Sequence, residues 1–237
     1  MLHQEENQNK MGELLSDIIL GGQDGLVNTL GVILGIAAAS SDFRIIVAGG
    51  LAGAIAEAVS MGAVGYTSEV ANRDFYASQL EKERKEIEEI PHMETMEIRE
   101  IYRKKGFSGK ILEDIVEVIT SNRDIWLETM MQEELKLSPI AHDRPLKAAA
   151  IIGAASFIGA LIPIVPFILF YLLGNTNENV HLAMISVIIL AALTLFVVGA
   201  IKSRITIGKW YKSGLQMMLI GIISALFGYL VGYLFTI

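Results

Sequence analysis

Five long apolar stretches constrain the fold of this chain more than any other feature. Each is about 20–26 residues long, enough to cross a hydrocarbon layer about 30 Å thick as a helix. They cover residues 17–40, 44–66, 148–173, 180–201 and 213–236. Because lipid forces backbone groups to bond internally and no strand pattern is visible, the stretches predict an all-α, polytopic membrane protein with five transmembrane helices.

A polar insertion separates the second and third apolar stretches. Residues 67–147 hold 18 of the 26 acidic residues and 13 of the 19 basic ones. Charge-dense segments with few helix breakers predict four helices there, over 68–90, 93–105, 109–120 and about 123–137. We therefore expect three parts: an N-terminal tail with the first two spans (1–66), a helical metal-binding insertion (67–147), and the last three spans (148–237).

Lys and Arg placement predicts the orientation in the membrane. The short links 41–43 and 174–179 contain no Lys or Arg, whereas the insertion and the link 202–212 are rich in them. The positive-inside rule then puts the N-terminus and the insertion in the cytosol. An odd number of spans puts the C-terminus outside, in agreement with that assignment.

Composition excludes several function classes. The net charge of −7 argues against nucleic acid as a partner. The absence of cysteine excludes disulfides and thiolate metal sites. The polar, acidic N-terminus lacks the basic region of a cleaved signal peptide, so we expect the first span to be retained.

The first span contains a carboxylate, which costs about 2.5–3.5 kcal/mol near the bilayer centre. Asp24 lies on a helical stripe with Asn28 and three glycines, Gly21, Gly31 and Gly35. These positions step by three and four, so they share one face. Such a stripe lets another backbone come close and offers oxygen ligands. It predicts a functional face.

The second span repeats this arrangement. Gly53, Glu57, Met61 and Gly65 are four residues apart and share a helix face. Glu57 and Asp24 are the carboxylates that lie deep inside the predicted spans. We interpret both as functional, because intramembrane carboxylates usually mark ion or proton pathways. Met61 alone is typical of core packing, but its place one turn from Glu57 makes it a candidate ligand.

The insertion carries a second set of candidate ligands. Two pairs of glutamates are spaced by three, Glu83 with Glu86 and Glu94 with Glu97, and a chain reversal at Pro91 would bring the pairs together. One turn of the fourth helix holds three further candidates, Met130, Met131 and Glu134. Carboxylates with thioethers suit a first-row divalent ion better than Mg²⁺ or Ca²⁺. From spacing alone, however, Glu-rich helices are usually solvated faces and methionines are usually core filling.

These motifs together resemble the vacuolar iron transporter family. The resemblance is carried by DIILGGQDGLVNTLGVILG in the first span, AEAVSMGAVGY in the second, the Glu-rich insertion, and GALIPIVPF in the third. It covers nearly the whole chain. It implies a five-span homodimer in the lipid bilayer, with a pore between the two first spans. It also implies export of cytosolic Fe²⁺ against protons, through the plasma membrane of a prokaryote or the vacuolar membrane of a eukaryote.

The resemblance also implies roles for individual residues. It makes Asp24 and Met61 pore residues, and we group Glu57 with them because of its position. It implies seven cytosolic metal ligands: Glu83, Glu86, Glu94, Glu97, Met130, Met131 and Glu134. Fe²⁺ is then a transported substrate and no cofactor is permanently bound. Mn²⁺, Co²⁺ and Zn²⁺ use overlapping ligands and remain alternatives.

Two other classes of protein are open on the residues alone. Paired glutamates on antiparallel helices are typical of di-iron carboxylate enzymes, which would make the protein a membrane ferroxidase. Those enzymes use Glu-x-x-His pairs, whereas both pairs here are Glu-x-x-Glu, so we expect no enzyme. A metal-sensing membrane receptor would explain the insertion but not the carboxylates inside the spans.

Overall fold

The computed structural model describes the backbone of residues 2–174, 179–205 and 208–235, and the side chains of residues 11–174, 179–204 and 208–235. Within these ranges the chain is all-helical and has no strand. It forms eight α-helices and one π-helical turn: α1 (Leu2–Ala39), α2 (Phe43–Glu89), α3 (Pro91–Lys104), α4 (Gly109–Thr120), α5 (Arg123–Thr129), the π-turn (Met130–Glu134), α6 (Arg144–Leu172), α7 (Val180–Ile205) and α8 (Trp210–Leu234).

Five helices are long and apolar enough to cross a membrane. They are Met11–Ala39 in α1, Phe43–Glu89, Arg144–Leu172, Val180–Arg204 in α7, and Trp210–Leu234. The all-α class and the five candidate spans are therefore confirmed. The predicted end of the last span at residue 236 lies outside the described residues, as do residues 175–178 and 206–207 of the predicted links.

The second span and the first helix of the insertion are one continuous helix. We expected two segments, 44–66 and 68–90, whereas α2 runs unbroken for 47 residues. No glycine or proline occurs between Tyr66 and Ile90, and Pro91 begins the next helix. At 1.5 Å per residue α2 is about 70 Å long, so less than half of it is needed to cross a bilayer.

The last predicted helix of the insertion ends earlier than expected. We predicted a helix over about 123–137, but α5 changes to a π-turn at Met130 that ends at Glu134. Lys136 then adopts a left-handed conformation with φ of 57°. The Leu137 N–H donates to the Met131 carbonyl across this turn, at 2.9 Å. The π-turn and the left-handed Lys136 replace the last turn of the predicted helix.

The chain forms two compact units. The bundle unit comprises Met1–Tyr66 and Leu146–Ile237, and the insertion unit comprises Thr67–Pro145. In the bundle unit, buried side chains of α1, α6 and α7 form the apolar core, with Leu30, Ile164 and Leu195 among them. In the insertion unit, Ile98, Val116, Trp126 and neighbouring residues form a separate core.

Helices of the bundle unit approach one another at glycines. A Cβ added to Gly35 of α1 would lie 2.9 Å from the Gly228 carbonyl oxygen of α8. A Cβ at Gly25 would clash with the Ser156 carbonyl of α6. Backbones can come this close only where one side lacks a side chain, which is the packing that small residues allow in membranes.

We predict that Gly25→Ala destabilises the protein although it improves helix propensity. Alanine is favoured over glycine in a helix by about 1 kcal/mol, but overpacking costs about 1–3 kcal/mol. Gly12→Ala is the matched control on α1, because nothing lies within 4 Å of a Cβ there. Thermal unfolding in detergent should give a lower midpoint for Gly25→Ala than for Gly12→Ala. Equal midpoints would contradict the packing described here.

Candidate metal centre

An amide in the bundle unit joins the two carboxylates that we singled out in the spans. Asn28 Nδ2 donates to Asp24 Oδ2 at 3.1 Å and to Glu57 Oε1 at 3.0 Å. Asp24 and Asn28 are one turn apart on α1, and Glu57 comes from α2. The amide satisfies one oxygen of each carboxylate without neutralising either charge.

This group lies at the surface of the bundle unit and not in its core. Asn28 is exposed, and Asp24 and Glu57 are half-buried. A cavity of about 310 Å³ opens beside them between α1 and α2. It is lined by Asn28, Thr29, Val32, Gly53, Ala56, Glu57 and Ser60. Met61 is half-buried one turn beyond Glu57 and is not among the described residues that line this cavity.

The small residues of the α1 stripe do not share one environment. Gly21 lies against Ile152 of α6, whereas Gly31 and Gly35 lie against Ser224 and Gly228 of α8. Asp24 and Asn28 lie between these glycines in sequence. In the bundle unit Asp24 is half-buried and Asn28 is exposed. Sequence reasoning placed Asn28 on the stripe but gave it no role in the site. Its position one turn from Asp24 was the available signal.

In the insertion unit, three carboxylates from three different elements converge. One carboxylate oxygen each of Glu83 (α2), Glu94 (α3) and Glu134 (the π-turn) lies within 4.8 Å of the others. Glu83 and Glu94 are only 2% and 3% exposed. The reversal at Pro91 places α3 beside α2, which brings the two buried glutamates together. We call this group the carboxylate cluster.

The other predicted ligands of the insertion lie around this cluster in different roles. Glu97 lies close enough to Glu134 for its charge to raise the pKa of that carboxyl. Glu86 forms an ion pair with Lys82, with 3.2 Å between Oε2 and Nζ. Met130 is fully buried in the apolar core of the unit, and Met131 is 1% exposed beside it in the π-turn. The structure thus brings the glutamates together and places Met130 in packing.

Burial and the neighbouring carboxylates raise the pKa values of the cluster. Burial, followed by the charges of Glu97, Glu83 and Glu86, raises the pKa of Glu94 to about 7. Partial desolvation and the charge of Glu97 also raise the pKa of Glu134 to about 7, although that residue is exposed as a whole. Burial and Glu86 raise the pKa of Glu83. Each shift means that the site favours a bound positive charge.

One oxygen of the cluster has no partner. Glu94 Oε2 is buried and accepts no hydrogen bond from any described residue. A buried acceptor left without a donor costs about 1–3 kcal/mol or more when charged. Oxygen-rich, partly desolvated groups of this kind can hold a proton or a divalent cation, and both would relieve the repulsion.

The fold defines a helical membrane protein with five candidate spans and two groups of converging carboxylates. The sequence profile of the VIT family matches residues 15–233. Vacuolar iron transporter 2 of Oryza sativa subsp. japonica is 33% identical over 90% of this chain and 84% of its own length. Vacuolar iron transporter 1 of Eucalyptus grandis is 32% identical, over 90% and 83% respectively. The Plasmodium falciparum vacuolar iron transporter is 31% identical, over 96% and 84%.

The chain belongs to the VIT family. This confirms the resemblance to vacuolar iron transporters that its sequence motifs indicated. The names of the family and of its relatives indicate a transporter and not an enzyme. The prediction that this protein is not an enzyme is therefore confirmed. The ferroxidase alternative is thereby set aside. The role of each site residue stays a prediction.

We predict that the metal-free insertion unit loses stability as pH rises. Glu94 and Glu134 have folded pKa values of about 7 against an ordinary 4.5, so the folded state holds protons that the unfolded chain has released. Stability must then fall between about pH 4.5 and pH 7. Trp126 fluorescence in a Trp210→Phe background, with chelator, should report a lower unfolding midpoint at about pH 8 than at about pH 5.5.

Glu94→Gln tests the origin of this slope. The amide keeps the shape of the side chain but cannot titrate, so the difference between the two pH values should shrink. An undiminished difference would assign the slope to groups outside the carboxylate cluster.

Proposed function

We propose that this protein exports Fe²⁺ from the cytosol across a membrane, in exchange for protons, through a pore between two copies of the chain. Family membership supports metal transport, and the relatives are named for iron. The observation that carries the proposal is the group of Asp24, Asn28 and Glu57 at the outer surface of an apolar bundle. Carboxylates placed there need a function or a partner, because lipid solvates them poorly.

A second copy of the chain is the partner that we propose for this surface. Around the polar group, α2 exposes apolar side chains such as Ile55 and Val59, 58% and 69% accessible. Two such faces packed about a two-fold axis would bury these side chains and enclose both sets of carboxylates. The enclosed oxygens, with Met61 one turn away, would line a path for a divalent ion.

Exchange of metal for protons follows from competition for the same oxygens. Four carboxylates enclosed in a low-dielectric pore repel one another strongly unless cations are bound. Metal entering from the cytosol would displace protons, and protons arriving from the far side would release the metal. Fe²⁺ is the proposed substrate. Mn²⁺, Co²⁺ and Zn²⁺ are candidates through shared ligand chemistry.

We propose that the insertion collects metal in the cytosol. The charge-rich insertion unit and the positive-inside rule support a cytosolic location. Its proposed ligands are the seven residues that the family resemblance implies, Glu83, Glu86, Glu94, Glu97, Met130, Met131 and Glu134. Of these, Glu83, Glu94 and Glu134 converge, whereas Met130 is packed in the apolar core and is the weakest candidate. The unpartnered Glu94 Oε2 favours a bound cation here. The insertion would raise the metal concentration near the pore but would not form the pore.

We predict that Asp24→Asn abolishes Fe²⁺ flux into proteoliposomes with an imposed pH gradient. The amide keeps the size of the side chain but removes the charge that binds metal and protons. Asp42→Asn is the control, because Asp42 is exposed and accepts a hydrogen bond from the Arg44 N–H at the start of α2, a bond that asparagine can keep. Full flux in Asp24→Asn would refute the pore assignment. Absence of flux in the unmodified protein, with metal still bound, would favour a metal-sensing receptor.

We predict that Glu94→Gln with Glu97→Gln weakens metal binding and slows transport without abolishing it. The double variant removes one carboxylate of the cluster, Glu94, and one beside it, Glu97, and it changes no residue of the bundle unit. Calorimetric titration of the full-length protein with Zn²⁺ should show at least one high-affinity site lost. The control is Glu89→Gln with Glu100→Gln, since Glu100 pairs with Arg103 and Lys104 and not with the cluster. An unchanged titration would count against the cytosolic site.

A further inference from the structure

Lys82 supplies the positive charge that lies against the carboxylate cluster. Its Nζ is 3.2 Å from Glu86 Oε2, one helical turn further along α2. The charge of Lys82 also acts on Glu83 and Glu94. Glu86 first, and then Glu83 and Glu134, raise the pKa of Lys82. One ammonium group therefore interacts with carboxylates from α2, α3 and the π-turn.

The remaining cations of α2 in this region are engaged elsewhere. Arg84 pairs with Glu81 at 3.2 Å, and Lys85 pairs with the same carboxylate at 3.8 Å. Lys82 is 58% exposed, much like these two side chains, but its partner is the predicted ligand Glu86, whereas theirs is Glu81. Lys82 thus differs from Arg84 and Lys85 in the carboxylate with which it pairs, although all three lie on α2.

We propose that Lys82 is a built-in competitor for the metal, which holds Glu86 in the metal-free site and is displaced when a divalent cation binds. This inference rests on the proposed metal-binding function of the cluster. Metal and ammonium compete for the same carboxylate oxygens, and their charges repel each other. The Lys82–Glu86 ion pair therefore lowers the affinity of the site for metal.

A lowered affinity suits a site that passes its ion onward. The three carboxylates of the cluster, with Glu86 and Glu97 beside them and no cation nearby, would bind a divalent ion tightly and release it slowly. An ammonium on a flexible stem can return to Glu86 as the ion leaves, so that the vacated charge is neutralised at once. Lys82 would then speed release, and the cost would appear as weaker binding.

The test compares two substitutions that change the net charge equally. Lys82→Gln should lower the Kd for Zn²⁺ about tenfold, the size that Coulomb's law gives for a unit charge about 6 Å from a divalent ion in a water-like dielectric. Lys85→Gln, three residues away, should leave the Kd within about twofold of the parent, because the Lys85 ammonium pairs with Glu81, which is not one of the proposed ligands. Lys82→Arg should restore weak binding. Titrations use the full-length protein in detergent.

Transport kinetics separate competition from a structural role. In proteoliposomes, Lys82→Gln should lower the KM for Fe²⁺ and also lower the maximal rate, because capture improves while release slows. A merely structural role of Lys82 would raise the KM for Fe²⁺ or leave it unchanged. Equal Zn²⁺ affinities of Lys82→Gln and Lys85→Gln would overturn the inference. Failure of the unmodified protein to bind Zn²⁺ would instead overturn the proposed site itself.

Chemical labelling provides an independent readout in the unmodified protein. An amine-reactive ester should modify Lys82 several-fold faster after Zn²⁺ is added, because the metal breaks the ion pair that holds the Lys82 amine at Glu86. Lys85 in the same sample is the internal control and should not change. Unchanged or slower labelling of Lys82 on metal addition would show that the ion pair persists, and would contradict the proposal.

Discussion

The hydrogen bonds of one amide join the two carboxylates on which the proposed function of the bundle unit depends. Asn28 holds carboxylates from two helices, Asp24 and Glu57, and it provides no charge of its own. An Arg or Lys at this position would neutralise the pair and leave no reason for a cation to enter. An apolar residue would leave two intramembrane carboxylates repelling each other. A neutral donor fixes their geometry and preserves their demand for a positive charge, which is the property that a cation path requires.

The insertion unit meets the same requirement by different means. Its glutamates are held by packing, since Glu83 and Glu94 are buried beside the apolar core that contains Ile98 and Met130. Protons on Glu94 and Glu134 and the ammonium of Lys82 relieve the repulsion, and in the proposed function a divalent ion would replace them. A collecting site that always has a replacement cation at hand can bind and release with small changes in free energy. In the function proposed here, such a site would deliver the ion to the pore.

Sequence reasoning succeeded where periodicity and length decide the outcome. Five spans follow from apolar length, and α4 matches its predicted limits because its apolar face has a clean helical period. It failed at boundaries set by tertiary contacts or unusual turns. The continuity of α2 was hidden by the change in composition near Tyr66, and the π-turn with the left-handed Lys136 has no simple sequence signature.

The sequence by itself determined which side chains are available: acids inside two apolar helices, glutamate pairs on either side of Pro91, and glycines at packing intervals. Only the tertiary structure decided which of them meet. Asn28 joins Asp24 to Glu57, Glu134 reaches Glu83 and Glu94, Met130 enters a core, and Lys82 lies against the cluster. The physical reason is that helical periodicity orders residues within one helix, whereas contacts between helices depend on how closely the backbones pack and where each helix ends.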